Sequence, residues 1–233
     1  MQTIEPHLLR AAVSAICPDV ASRTAQHGME TNERVLWREL STCLLSSQVP
    51  YELAVAAAVS IDRSGILLDP SITDVGTTAS AIEDILRSPL EVGARQRSYR
   101  FYASKSVQLA RTCHAVRRDG ESLVELIGGF DDAATARTWF LRQAPGMGPK
   151  QASMFLRNIG FTYQLAVLDR HVLNYMTALK IDTSKATGDL KWYYRCERAL
   201  QRHADGIGYP VGLMDWAIWI VMRVARKNSM VLP

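Results

Sequence analysis

Cysteine is scarce and scattered. Four cysteines, Cys17, Cys43, Cys113 and Cys196, are spread over 233 residues, and no Cys-x-x-Cys pair occurs. That spacing argues against a zinc finger and against a secreted disulfide framework. Isolated buried thiols are the expectation. Long hydrophobic runs are missing too. None approaches the roughly 20 apolar residues of a membrane span, and the N-terminus lacks the basic-then-apolar order of a secretory signal. A soluble intracellular protein with no membrane partner is expected. No period-2 alternation recurs, and there is no internal repeat or low-complexity tract. Charge of one sign is not in large excess. The net charge is +4 and the pI about 8.9, which is compatible with a nucleic-acid partner without indicating one. What the chain does have is 48% hydrophobic content, enough for a sizeable core in one or two lobes.

Those apolar residues fall at helical spacing, so the fold class is read as all-α. Helices are expected over residues 6–16, closed by Cys17-Pro18, and over 33–47, where Leu36, Leu40, Cys43 and Leu44 share a face. Others are expected over 51–61, 80–87, 122–127 and 191–203. Residues 63–78 and 180–189 read as loops, because Gly, Pro, Asp, Ser and Thr cluster there. A long basic helix is expected over about 92–119, carrying Arg95, Arg97, Arg100, Lys105, Arg111, Arg117 and Arg118. Tyr99, Phe101 and Tyr102 are interleaved with these charges. A core edge beside a solvated basic face explains most of them better than base stacking does. Residues 206–212 read as a glycine-rich linker. The last helix is expected from Asp215, with Trp216, Ile218, Trp219 and Met222.

The chemistry centres on Gly146-Met147-Gly148-Pro149-Lys150 and on Asp169, nineteen positions after the lysine. A helix over about 131–144 is expected, with Asp131 or Asp132 accepting from first-turn amides. Pro145 and Gly146 stop it. Gly148 is expected to supply backbone freedom, and Pro149 suits the first position of a second helix, where its missing N–H costs nothing. That second helix places Ala152, Phe155, Leu156 and Ile159 on one stripe, and Gly160 ends it. Lys150, Met154 and Arg157 fall off the stripe. Such a hairpin aims free N–H groups outward, which suits a phosphate. The positive end of the helix dipole disfavours a charged ammonium, so a lysine there can be held partly neutral, as an amine nucleophile requires. After the apolar run Leu165-Ala166-Val167-Leu168, Asp169 is an N-cap candidate for a helix carrying Val172, Leu173, Met176 and Leu179. Taken singly, Lys150 reads as a solvated charge and Asp169 as a plain cap. The resemblance that their joint spacing and flanking sequence carry reverses both readings.

Helix, Gly-x-Gly hairpin, lysine, helix and then aspartate resembles the helix-hairpin-helix DNA glycosylase superfamily. Within it, the segments Lys150–Gly160 and Ala166–His171 are most similar to the small archaeal-type 8-oxoguanine DNA glycosylase/lyase family. The likeness is strong over about 145–176 and weaker from about Arg34 to the last helix. It implies a two-lobed fold with the active site in the cleft between lobes. Residues 32–160 would form a helical barrel ending in the hairpin unit. Residues 1–31 and 161–233 would form a second lobe built from both chain ends. Lys150 would be the nucleophile that forms a Schiff base, and Asp169 the group that stabilises the cationic sugar. Gly146, Gly148 and the amides around Pro149 would hold DNA phosphate. His171 would contact phosphate or serve packing.

Gln48, at the end of Leu44-Leu45-Ser46-Ser47-Gln48-Val49-Pro50, matches the superfamily element that fills the hole left by an extruded base. A side-chain amide supplies both donor and acceptor for that task. Trp216 and Trp219 match the base pocket in kind. The chain runs past its last helix as Asn228-Ser229-Met230-Val231-Leu232-Pro233, where small archaeal-type members typically end in a lysine. Only Cys196 lies where some relatives carry an iron–sulfur cluster, so no cluster is expected, and no other cofactor. Hairpin carbonyls in the superfamily can hold a monovalent cation, K+ or Na+. The partner implied is double-stranded DNA with a damaged base, bound by a monomer in the cytoplasm or nucleoid of a prokaryote. Two alternatives remain at this point: a glycosylase of the same fold for another modified base, and a hairpin protein that grips DNA without chemistry. The presence of both Lys150 and Asp169 argues against the second.

Overall fold

The computed structural model describes residues 5–26, 28–182 and 188–228, with side chains as far as Ala225. Among the described residues there are eleven α-helices and one two-stranded hairpin, so the fold is all-α. None of these helices is long and apolar enough to cross a membrane. The chain separates into two compact units. One is Met29–Ile159; the other joins Met1–Gly28 to Gly160–Pro233. The tail beyond Asn228 lies outside the described residues.

The unit formed by both chain ends holds α1 (Pro6–Ala25), α9 (Arg170–Ala178), α10 (Leu190–Asp205) and α11 (Val211–Asn228). Its core includes Val13, Val172, Tyr175, Leu200, Met214 and Ile218. Helix α1 does not stop at Cys17-Pro18 as expected; Pro18 lies inside it. An internal proline costs about 3 kcal/mol through a lost hydrogen bond and a clash. Leu9, Val13, Cys17 and Val20 are buried along one face of α1. At roughly 2 kcal/mol per buried apolar side chain, they outweigh the proline. The expected linker 206–212 is also corrected, because α11 begins at Val211. Gly212 is a packing residue there. A Cβ at 212 would stand 2.9 Å from the Tyr163 carbonyl oxygen and 3.0 Å from that of Leu165.

The Met29–Ile159 unit holds α2 (Glu33–Leu45), α3 (Tyr51–Ser64), α4 (Val75–Arg87), α5 (Tyr102–Gly120), α6 (Leu123–Gly128), α7 (Ala133–Gln143) and α8 (Pro149–Asn158). Side chains cap four of these helices: Asn32 for α2, Asp74 for α4, Ser122 for α6 and Asp132 for α7. Asp74 accepts from the Thr77 amide at 2.6 Å, which starts α4 five residues before the expected helix. The loop before it is correspondingly shorter.

The long basic helix expected from residue 92 is replaced at its start by strands β1 (Leu90–Val92) and β2 (Arg95–Arg97), paired antiparallel with Glu91 opposite Gln96. Gly93 opens the two-residue turn with φ +60°, the glycine-first pattern that matches strand twist. Three residues per strand are too few to show alternation. Two of the expected solvated charges turn inward. Arg117 donates to the carbonyls of Leu67, Asp69 and Ile72 at 3.1, 2.8 and 2.6 Å, pinning the loop before α4. Lys105 is buried.

Candidate active site

Around Lys150, the hairpin is built by local chemistry. Asp132, rather than Asp131, caps α7 through the Thr135 amide at 2.8 Å. The Met147 amide donates to the Ala144 carbonyl at 3.1 Å and closes the turn. Gly146 has φ +84°, so the left-handed position is here. Gly148 has φ −87° and ψ 178°, an ordinary extended conformation at the N-cap of α8. Its expected backbone freedom is therefore not needed for the turn. Replacing Gly146 by alanine would force a Cβ into a left-handed conformation, 2.0 Å from Gln108 Oε1. Gly146→Ala is expected to lower stability by about 1–2 kcal/mol, measured as a lower urea midpoint at unchanged slope. An unchanged midpoint would contradict this geometry.

Helices α7 and α8 are locked by aromatic packing. Phe140 meets Phe155 edge-on with ring centroids 5.1 Å apart, and Trp139 meets Phe140 at 5.0 Å. Met154 joins the buried side of α8, contrary to its expected place off the stripe. Pro149 is the first residue of α8 and Lys150 the second. No side chain caps this helix among the described residues. Lys150 is half-buried. The charge of Lys150 is felt by a cluster that sequence reasoning did not assemble. Glu39 of α2 accepts from Asn158 Nδ2 at 2.7 Å and from the Cys43 thiol at 3.4 Å. Burial pushes the Cys43 thiol well above its ordinary range and Glu39 adds to this, while the positive charges of Arg157 and Lys150 pull the other way. Glu39 and Cys43 are one helical turn apart, which was the only signal available for the pairing.

Asp169 stands at the end of an extended stretch that three buried side chains hold. The Ala166 amide donates to Glu197 at 3.0 Å, and the Val167 amide to Asp215 at 2.6 Å. The Tyr193 hydroxyl donates to the Ala166 carbonyl at 2.7 Å. Backbone groups with no strand partner are thereby satisfied from α10 and α11. The half-buried Asp169 carboxylate then caps α9, accepting from the Val172 amide at 2.9 Å. His171 sets its ring edge-on to Trp219, centroids 6.4 Å apart, and Arg223 covers Trp219 at 4.8 Å. Trp216 is the more exposed tryptophan at 37%. Gln48 lies in the turn after α2, exposed and with φ +62°. That is an uncommon conformation for a residue other than glycine. Lys150 and Gln48 belong to one unit, and Asp169, His171, Trp216 and Trp219 to the other. The described residues contain no group of three or more His, Cys, Asp or Glu side chains placed to hold a metal, and the four cysteines are free and buried.

A Gly-x-Gly-Pro-Lys hairpin between packed helices, followed by an aspartate-capped helix, defines the helix-hairpin-helix glycosylase class. The sequence pattern of the 8-oxoguanine DNA glycosylase family matches residues 20–209, and the chain belongs to that family. An 8-oxoguanine DNA glycosylase/AP lyase of Fusobacterium nucleatum is 32% identical over 122 residues, 52% of this chain and 56% of the relative. One of Sulfurisphaera tokodaii is 28% identical over 187 residues, 80% and 81% of the two chains. The fold is shared with the solved 8-oxoguanine DNA glycosylase of Thermotoga maritima, at TM-score 0.67 and 24% identity over 92% of this chain and 96% of that one. It is shared also with the Methanocaldococcus jannaschii 8-oxoguanine glycosylase/lyase solved with a 15mer DNA containing 8-oxoguanine. There the TM-score is 0.65 and the identity 19%, over 97% of this chain and 100% of that one.

Proposed function

We propose that this protein extrudes 8-oxoguanine from double-stranded DNA, excises it with Lys150, and cuts the strand at the resulting site. One observation carries the assignment: Lys150 is the second residue of a helix with no side-chain cap among the described residues, entered from a left-handed glycine turn, in a chain of this family. The glycosidic carbon is unreachable inside the base stack, so extrusion comes first. The lone pair of the Lys150 amine attacks C1′. The bond from C1′ to the base breaks, and the base leaves with the electron pair and takes up a proton. The C1′–O4′ bond then breaks, O4′ takes up a proton from water, and a protonated Schiff base remains on Lys150. Asp169 supplies the negative charge that favours the cationic sugar. Loss of a C2′ proton then expels the 3′ phosphate, and water releases the lysine. Gly146, Gly148 and the amides beyond Pro149 take phosphate oxygens, and hairpin carbonyls would supply the oxygen ligands for K+ or Na+. His171 braces Trp219, which with Trp216 offers the extruded base an aromatic surface. The reaction requires no iron–sulfur cluster or organic cofactor. One copy of the chain suffices, in the compartment that holds the chromosome.

Gln48 enters the space the base vacates. Gln48→Ala is expected to lower excision from duplex about tenfold, the worth of one or two hydrogen bonds at ~1 kcal/mol each. It should lower excision from single strands much less, since no partner strand remains there. Equal losses on both substrates would count against the role.

Recognition of 8-oxoguanine requires telling guanine from a form with one more oxygen and an added N7–H. An acceptor facing N7–H suffices, because an unpaired buried group is costly. A backbone carbonyl can be that acceptor. Chromatography of the bases freed from a mixed-lesion duplex tests the substrate. Release of 8-oxoguanine is expected. Release of another base with 8-oxoguanine left in place would overturn it.

A further inference from the structure

The end of α2 is secured in an unusual way. The last four carbonyls of a helix lack partners within it, and the common solution is a left-handed glycine just beyond. Here each carbonyl has its own donor. Thr42 accepts from the Ser46 amide at 3.0 Å, and Cys43 from the Ser46 hydroxyl at 2.8 Å. Leu44 accepts from Lys105 Nζ at 2.9 Å, and Leu45 from the Tyr99 hydroxyl at 2.7 Å. Both donors are buried, at 7% and 1% exposure, and both reach α2 from more than fifty residues away. The ammonium also sits at the negative end of the α2 dipole. The same stretch of chain continues the pattern. Arg100, its guanidinium 4.3 Å over the Phe101 ring, donates to the Gln48 carbonyl at 3.4 Å. The left-handed residue is delayed to Gln48 itself. A left-handed residue other than glycine persists where its surroundings over-determine it. Lys105 and Tyr99 fix the two carbonyls nearest that turn.

We propose that Lys105 and Tyr99 are positioning residues for Gln48. They clamp the last turn of α2 so that the Gln48 side chain is already projected before DNA arrives. Neither touches DNA or the reacting atoms. This rests on the reading of Gln48 as the residue that replaces the extruded base. A buried lysine used only for stability would support every substrate equally. A lysine that aims Gln48 matters where Gln48 matters, on duplex.

The test uses Lys105→Met and Tyr99→Phe in the full-length protein, each alone and combined with Gln48→Ala. Excision is measured on duplex and on single-stranded lesion DNA, per molecule competent for borohydride trapping on the single strand. Each single variant is expected to lose about five- to tenfold on duplex while retaining single-strand excision, and adding either to Gln48→Ala should cost nothing further, since residues acting through one another are non-additive. Equal loss on both substrates, or losses that multiply with Gln48→Ala, would overturn the proposal. Should Lys105→Met fail to fold, Tyr99→Phe removes a single oxygen and carries the same test. If Gln48→Ala alone leaves the duplex-to-single-strand ratio unchanged, the Gln48 reading fails and the positioning role with it. If Gln48→Ala shifts that ratio and the other two do not, the positioning role alone is wrong.

Discussion

Lys150→Gln protein, mixed with 8-oxoguanine duplex and borohydride, is expected to yield no covalent complex and to lose base release by orders of magnitude. Glutamine keeps much of the lysine's length, but its nitrogen lone pair is delocalised into the amide and cannot attack C1′. The fold should not suffer. Lys150 is half-buried at the start of α8, and the aromatic α7–α8 contact is made by Phe140 and Phe155. A substitution away from the core typically changes stability within about 0.5 kcal/mol. Affinity for lesion duplex should survive, since the hairpin amides make the proposed phosphate contacts. Undiminished trapping by Lys150→Gln protein would rule out this lysine.

Asp169→Asn is expected to lower base excision by about two orders of magnitude, the effect of roughly 3 kcal/mol of transition-state charge stabilisation. Stability should barely move, because asparagine caps helices about as well as aspartate. The bond from the Val172 amide at 2.9 Å can then be kept. Asp169→Ala separates the two roles. It should match Asp169→Asn in activity and lose in addition about 1 kcal/mol of stability with the cap. Thermal melting and single-turnover excision on the three proteins provide the comparison. Full activity per folded molecule in Asp169→Asn would leave Asp169 only a cap.

The parts of the site written in local chemistry were legible in the sequence. Glycine and proline mark the turn at 145–149, an aspartate before an apolar stripe marks the start of α9, and both stand where expected. Even there the role of each glycine was not readable. Gly146 carries the left-handed turn and Gly148 does not. What depended on distant partners was misread. Pro18 lies within a helix because the buried face of α1 outweighs it. Gly212 stands inside a helix as a packing residue, because a Cβ there would meet two carbonyl oxygens at 2.9 and 3.0 Å. Lys105 and Arg117 looked like solvated charges at helical spacing, yet both donate to carbonyls from far along the chain. Asp215 looked like a helix start and is a buried acceptor holding the extended stretch before Asp169. Periodicity shows which face of a helix is apolar. It does not show which polar side chains will find unpaired backbone groups elsewhere.

The covalent intermediate itself is the most direct test. Wild-type protein trapped by borohydride on 8-oxoguanine duplex is digested with nuclease and trypsin, and the peptide carrying the reduced sugar is sequenced by mass spectrometry. Trypsin does not cut at a modified lysine. The sugar is therefore expected on the peptide running from Gln143 to Arg157, uncut at Lys150. A sugar on any other lysine or on the N-terminal amine, with Lys150 unmodified, would contradict it.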